Sequence, residues 1–225
     1  MIDRRCVILF VKLPGKGTVK SRLARDMDEN FVLRLYESMV LDTIDTLKHA
    51  RVPFRICFSP PDALADARDW LGHEHAYMPQ TGDDLGERME LAFASVFAEG
   101  VGEALLIGSD IPGLTAAVLG GAFHSLATHD AVIGPANDGG YYLIGFKKST
   151  FHPAIFRDML WSTDSVFHET VERLRMAALT VSVMPECIDV DTRADLVAFF
   201  DRNEGRDSSS RALALLRSRR ESIGK

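Results

Sequence analysis

The sequence predicts a three-layer α/β domain, with a mostly parallel, mixed β-sheet covered by helices on both faces. Short, near-continuous apolar segments alternate with amphipathic ones along the 225 residues, which is typical of a parallel sheet buried on both sides. A hydrophobic fraction of 46% and a charged fraction of 26% are those of an ordinary globular protein. The length suits one α/β domain with a full core.

The individual elements follow from the periodicity of apolar residues. The first predicted strand covers residues 5–12 (RCVILFVK), a helix is predicted to open over 19–27, and a helical stripe predicts a long helix over 31–48. Further strands are predicted at 54–59, 75–78, 104–108, 131–133, 141–146 and 180–184. Further helices are predicted at 62–71, 85–97, 115–128, 163–177, 193–201 and 211–220. Because the strands at 131–133 and 141–146 are close in sequence, we expect them to form a partly antiparallel element.

The net charge of −6 is unevenly distributed. Residues 1–25 contain seven Lys or Arg against one acidic residue, and residues 206–225 contain six against two. An acidic body with one basic segment argues against a nucleic-acid surface and favours a local anionic ligand near residues 12–25. We expect a single ligand-binding domain over 1–202, then a polar linker and a basic helix over 203–225 that is loosely docked or makes an oligomer contact, as in a homodimer.

The sequence also bears on where the protein works. No apolar run approaches the ~20 residues of a membrane-spanning helix, and the start of the chain does not read as a signal peptide. The three cysteines are scattered without zinc-type spacing, as in a reduced protein. These features predict a cytoplasmic protein with no membrane partner.

The segment from Leu13 to Arg22 is the strongest candidate for a phosphate-binding loop. A strand, a glycine-bearing turn and a helix start aim backbone N–H groups at an anion. Gly15 and Gly17 allow close approach, and Lys20 and Arg22 supply positive charge. The P-loop pattern GxxxxGK[ST] is absent, and the dinucleotide pattern GxGxxG is broken by Lys20 at its third glycine. The alternative is a polar turn with solvated lysines.

Carboxylates at strand ends are candidate metal ligands. Asp110 directly follows a buried strand, so it is expected at the carboxyl edge of the sheet, where Mg²⁺ and phosphates are held together. Asp189 and Asp191 have period-2 spacing and could point the same way. Alternatively, Asp110 forms a turn and Asp191 is a favourable charge at a helix start. Thr192 and Asp195 match a capping box.

Residues 134–142 (GPANDGGYY) form a third constellation. Asp-Gly-Gly between two strands is a good hairpin turn. A turn needs only two such residues, however, and the additional glycine with two tyrosines is typical of a surface that a ligand approaches closely. The sequence leaves both interpretations open.

Several sequence blocks together resemble a known family. In order, they are LFVKLPGKGTVKSRLA, QTGDDLGERM, LLIGSDIPGLT, VIGPANDGGYYLIGF, WST and DVDT. They resemble the radical-SAM/selenodomain-associated transferases of the nucleotide-diphospho-sugar transferase superfamily, which have a GT-A-like fold. The resemblance spans about residues 5–200. More distantly, the chain is similar to phospholactate guanylyltransferase and the molybdenum cofactor nucleotidyltransferases.

The resemblance implies a set of roles for particular residues. Asp110 and Asp191 would bind Mg²⁺ or Mn²⁺, and Lys20 and Asp138 would be catalytic. The nucleotide would be bound by Leu13, Pro14, Gly15, Lys20, Arg22, Gln80 and Gly82, with the last two near the base. The acceptor would be bound by Gly139, Gly140, Tyr141 and Trp161.

Three functions are compatible with these residues. The first is metal-dependent nucleotidyl transfer from a nucleoside triphosphate to a small phosphorylated or hydroxyl acceptor. The second is glycosyl transfer from a nucleotide-sugar, with the same metal holding the diphosphate leaving group. The third is a nucleotide-binding module without catalysis.

Overall fold

The computed structural model describes residues 5–15, 17–109, 111–205 and 209–220. In these parts of the chain it contains seven β-strands and seven α-helices. The strands are β1 (Arg5–Lys12), β2 (Phe54–Ser59), β3 (Ala76–Pro79), β4 (Glu103–Ile107), β5 (Ala131–Pro135), β6 (Tyr141–Lys147) and β7 (Val181–Val183). The helices are α1 (Glu29–Ala50), α2 (Leu64–Leu71), α3 (Leu85–Ala98), α4 (Ala116–Leu126), α5 (Val166–Met176), α6 (Arg193–Asn203) and α7 (Arg211–Arg217). Within these residues no helix has the length and apolar character needed to cross a membrane.

The strands form a single sheet in the order β3-β2-β1-β4-β6-β5-β7. Strand β6 is antiparallel to both of its neighbours, β4 and β5, and the remaining pairs are parallel. The prediction of a mostly parallel sheet with one antiparallel element is therefore confirmed. Because six strands run in one direction, their carboxyl ends meet at one edge, and β6 begins at that same edge.

Two apolar cores lie on opposite faces of the sheet, and this confirms the three-layer architecture. Alternation along β1 sends Val7, Leu9 and Val11 into one core, and Cys6 and Ile8 into the other. Helices α1, α4, α6 and α7 cover the first face. Helices α3 and α5, with a 3-10 turn at Pro153–Phe156, cover the second.

The helix predicted over 19–27 is wrong. This stretch contains only a three-residue 3-10 turn, Leu23–Arg25, and α1 begins later, behind Asp28, whose side chain accepts a hydrogen bond from the backbone N–H of Phe31. The reason lies in Lys20, whose φ of 49° is left-handed and cannot continue a right-handed helix. Among its described residues, the loop after β1 therefore has no α-helix N-terminus that could bind an anion.

Two carboxylates of α1 hold helix α7: Asp45 pairs with the Arg211 side chain at 2.5 Å, and Asp42 binds the start of the helix. Asp42 on α1 accepts hydrogen bonds from the Ser210 hydroxyl (2.7 Å) and from the backbone N–H groups of Arg211 (2.9 Å) and Ala212 (3.0 Å). Asp42 of α1 thus caps the N-terminal end of α7. Leu216 is fully buried in the first core. The helix is packed into the domain, so the expectation that it is loosely docked is wrong. Its role in an oligomer contact stays a prediction.

We expect Asp42→Ala to lower the free energy of unfolding by about 2–3 kcal/mol, because hydrogen bonds to a charged group contribute more than neutral ones. Urea denaturation of the variant measures the change. Glu37→Ala is the matched control, since Glu37 lies on the same helix and has no hydrogen bond or ion pair within the described residues. An equal loss in both variants would contradict the assigned role of Asp42.

Candidate active site

The loop after β1 starts at the carboxyl edge of the sheet and is fixed there by α1. The Tyr36 hydroxyl donates to the carbonyl of Lys12 at 2.8 Å, and the backbone N–H of Lys12 donates to the same hydroxyl at 3.0 Å. Gly15 then accepts from the backbone and hydroxyl of Thr18, at 3.1 and 2.7 Å. The predicted Leu13-Pro14-Gly15 segment is therefore a compact turn leading toward Lys20.

Lys20 lies at the centre of the site. Its side chain is 1% exposed, and its ammonium Nζ lies 3.0 Å from Oδ1 of Asp189 and 2.9 Å from Oδ1 of Asp191. Both carboxylates thus converge on one cationic atom, and period-2 spacing does point them the same way. A left-handed lysine is uncommon, so this double ion pair is a physical reason for the backbone to adopt that conformation at Lys20.

Arg22 adds a second cation beside the same carboxylates. Its side chain is 59% exposed, and its Nη1 lies 3.8 Å from Oδ2 of Asp191. This long, solvent-screened pair contributes little to stability. Arg22 is therefore available to bind an incoming anion.

The carboxylate pair is held in place by the loop between β5 and β6. The Asn137 side chain accepts the backbone N–H of Asp189 at 2.7 Å and donates to Oδ1 of Asp195 at 2.8 Å. Asp195 in turn forms the predicted capping box with Thr192, which is confirmed. The sequence reasoning did not single out Asn137, although it stands inside the GPANDGG block.

These groups border a cavity of about 600 Å³ at the carboxyl edge of the sheet. Lys20, Arg22, Gln80, Tyr141, Trp161 and Asp191 lie in its wall together. Leu13, Pro14, Gly15, Gly82, Asp138, Gly139 and Gly140 are outside that lining. Asp110 falls outside the described residues, so its predicted metal role stays a prediction.

Gln80 is buried and joins two strands at the cavity floor. Its amide nitrogen donates to the carbonyls of Cys57, at 2.8 Å, and Val11, at 3.3 Å. The hydrogen bonds of this nitrogen therefore go to backbone carbonyls near the ends of β1 and β2. The predicted contact of Gln80 with a base stays a prediction.

The loop at 136–140 is a tight turn whose conformation is determined by packing. Asp138 accepts the backbone N–H of Gly140 at 2.9 Å. Gly139 has a φ of 88°, and a Cβ there would lie 2.3 Å from the Asp164 backbone, so only glycine fits. Close packing against neighbouring residues explains Gly139 without a ligand. The catalytic role predicted for Asp138 stays a prediction.

The two tyrosines after this turn lie on opposite faces of the sheet. The Tyr142 hydroxyl donates to the carbonyl of Pro185 at 3.1 Å, and the Tyr141 hydroxyl lies 3.6 Å from Sδ of Met89. Burial raises the pKa of both phenols well above the usual value. They are neutral at physiological pH, so they orient groups rather than remove protons.

The carboxylate pair meets the chemical requirements of a divalent cation site. Oδ1 of each aspartate faces the Lys20 ammonium, and Asp191 also presents Oδ2 beside the exposed Arg22. A hard cation such as Mg²⁺ needs only one or two protein carboxylates beside phosphate oxygens and water. No cluster of three or more His, Cys, Asp or Glu occurs among residues 5–15, 17–109, 111–205 and 209–220.

Comparisons with solved structures define the class of fold. A provisionally named nucleotide-diphospho-sugar transferase from Desulfovibrio desulfuricans G20 has a TM-score of 0.95 and 38% identity, covering 99% of this chain and 98% of that one. A nucleotidyl transferase from Methanothermobacter thermautotroptrophicus has a TM-score of 0.57 and 15% identity, covering 88% and 97%. The protein Rv0371c from Mycobacterium tuberculosis H37Rv, in complex with manganese, has a TM-score of 0.54 and 14% identity, covering 89% and 100%.

The fold is therefore that of the nucleotide-diphospho-sugar transferases, as the resemblance predicted, and the chain is a member of this transferase class. Residues 41–163 match the model of a family described as uncharacterized proteins conserved in bacteria, DUF2064. The chain belongs to that family. No curated protein matches the sequence.

Proposed function

We propose that this protein transfers a nucleoside monophosphate from a nucleoside triphosphate to a small phosphorylated or hydroxyl acceptor, with Mg²⁺ or Mn²⁺. The observation that carries the proposal is the convergence of Lys20, Asp189 and Asp191 on one point at the cavity wall. Lysine and paired carboxylates beside a basic loop are what a metal–triphosphate complex requires. The transferase fold supports the same assignment.

In this proposal, the loop and its cations hold the nucleotide. Lys20 and Arg22 bind the β- and γ-phosphates and neutralise the charge that grows on them as pyrophosphate leaves. An oxygen of the acceptor forms a bond to the α-phosphorus while the bond from that phosphorus to the bridging oxygen breaks. Catalysis then consists of positioning and charge neutralisation.

The divalent cation would be held by Asp191 together with Asp110. When bound, it would neutralise phosphate charge and hold the triphosphate in one orientation. The protein Rv0371c, which shares the fold, was solved in complex with manganese, and this supports the use of a divalent cation. Asn137 and Asp195 keep the Asp189–Asp191 segment in position from behind.

Glycosyl transfer is the second candidate, favoured by the name of the Desulfovibrio protein. The same residues would then hold the diphosphate of a nucleotide-sugar. A panel of nucleoside triphosphates and nucleotide-sugars, each with Mg²⁺ or Mn²⁺ and a small-molecule bacterial extract as acceptor source, separates the two. We expect pyrophosphate release that depends on the extract. Nucleoside diphosphate release from a sugar donor would establish the second candidate instead, and binding without turnover would indicate a non-catalytic module.

A further inference from the structure

The cavity has a second wall, on the other face of the sheet from Lys20, and the assignment of the phosphates to Lys20 and Arg22 gives this wall no role. We call it the α3 wall, and it consists of Leu85, Arg88, Met89, Tyr141 and Trp161. The sheet separates the two sides, because Phe10 and Tyr141 pack with the α3 core, whereas their neighbours Val11 and Tyr142 belong to the α1 core. A ligand on the α3 wall therefore occupies a different subsite from the phosphates beside Lys20.

Arg88 is the charged group of this wall. Its Nε donates to the carbonyl of Gly82 at 3.0 Å, which fixes the guanidinium plane. Throughout the described parts of the chain, its two terminal amino groups have neither a hydrogen bond nor a carboxylate partner. Lys20 and Arg22, by contrast, already face aspartates. A half-buried guanidinium that is oriented but unpaired in a cavity is suited to bidentate binding of an anionic group.

The rest of the α3 wall is apolar and closely fitted. A Cβ on Gly86 would lie 2.8 Å from the Trp161 ring, so glycine at this position allows the indole to pack against α3. The buried Nε1 of Trp161 finds no hydrogen-bond partner within the described residues. The adjacent Ser162 has a strained φ of 66°. Unsatisfied donors and strained backbone concentrate at ligand sites, and here they accompany the oriented Arg88.

We propose that the α3 wall binds the acceptor, and that the acceptor carries a phosphate or carboxylate on an apolar or aromatic body. Arg88 binds the anionic group, and Trp161, Met89 and Leu85 contact the body. The proposal rests on the proposed transferase function, because it names the class of second substrate for that same cavity. It also predicts that Arg88 takes no part in binding the nucleotide.

Phenyl phosphate is a suitable probe, because it combines an anion with a flat apolar ring; phenylacetate is the carboxylate counterpart and phenol the uncharged control. Trp161 is the reporter once Trp70 is replaced by Phe, since the sequence has two tryptophans. We expect at least one of the two anions to change Trp161 fluorescence saturably, and phenol to bind more weakly. Arg88→Met should weaken anion binding about tenfold to a hundredfold, the range for charge-assisted hydrogen bonds.

Arg157→Met is the matched control, because Arg157 is an exposed arginine paired with Glu90 on the other side of α3. It should leave binding of the probe unchanged. Thermal shifts with each nucleoside triphosphate and Mg²⁺ should be the same in Arg88→Met as in the parent. If neither anion binds, or if Arg88→Met does not weaken binding, the proposal is overturned.

Two further outcomes separate this proposal from the function on which it rests. If Arg88→Met weakens the nucleotide and the anion competes with it, Arg88 belongs to the nucleotide subsite and the proposal is wrong. If no nucleotide binds the parent protein while the anion still binds through Arg88, the nucleotidyl transfer fails and the anion subsite stands.

Discussion

Replacing Lys20 with methionine is expected to lower kcat/KM by about 10²–10³, the cost of removing one electrostatic contact to charge that develops in a transition state. Methionine has a similar length and no charge. In the described structure the Lys20 ammonium contacts two carboxylates at 2.9 and 3.0 Å. We expect it to be the cation that bridges this pair and the phosphates. Steady-state kinetics on the purified variant measure the loss.

The same variant should bind free Mg²⁺ more tightly. Without the ammonium, the carboxylates of Asp189 and Asp191 have lost the positive charge that they contact at 3.0 and 2.9 Å, and a divalent cation no longer competes with it. Mg²⁺ should therefore raise the melting temperature of Lys20→Met more than that of the parent. The two effects have opposite signs, since turnover falls while affinity for the free metal rises. A merely unfolded variant would lose turnover but would not be stabilised by Mg²⁺.

Lys148→Met is the control for Lys20. Lys148 is exposed and follows β6, at the opposite edge of the sheet from the cavity. Its replacement should change neither turnover nor the response to Mg²⁺. If Lys20→Met turns over like the parent with unchanged nucleotide affinity, the phosphate-binding role of Lys20 is wrong.

Periodicity and segment order were sufficient to predict the layers of the fold. Alternating apolar runs identified the strands, and the closeness of 131–133 and 141–146 indicated the antiparallel element that β6 forms with β4 and β5. These features are local, because each depends on residues a few positions apart. The capping box at Thr192 is local in the same sense.

The helix predicted over 19–27 failed for a non-local reason. Its sequence is compatible with a helix, but Lys20 forms ion pairs with residues 169 and 171 positions away and adopts a left-handed backbone. No pattern within residues 13–27 could reveal that contact. The role of Asn137, which fixes Asp189 from another loop, was hidden for the same reason.

The position of Arg88 in the cavity wall could not be predicted from the sequence. It stands in the QTGDDLGERM block, which the family resemblance singled out. In one dimension it resembles any helical arginine with acidic neighbours. Only the fold shows that it lines the cavity, with its Nε bound to Gly82 and its terminal groups unpaired among the described residues.

Asp191→Asn is expected to lower turnover by a similar factor, about 10²–10³, and to raise the concentration of Mg²⁺ or Mn²⁺ needed for half-maximal rate. Asparagine has the same shape and can still accept a hydrogen bond from Lys20. The side chain of Asp191 is 31% exposed, but that of its partner Lys20 is only 1% exposed. Because Asp189 remains as a counter-charge, the free energy of unfolding should fall by about 1–3 kcal/mol. Asp189→Asn should have a smaller effect on metal dependence, and Asp110→Asn an effect like that of Asp191→Asn.

The two aspartate variants together distinguish metal binding from the positioning of Lys20. Both contact Lys20, so a loss that came only from misplacing the ammonium would be similar in Asp189→Asn and Asp191→Asn. A shift in metal dependence confined to Asp191 therefore separates metal binding from the positioning of Lys20. Asp201→Asn, an exposed carboxylate on α6, is the control and should behave like the parent. If metal dependence follows Asp189 instead, the ligand assignment within the pair is reversed; if it follows neither, the pair serves only to hold Lys20.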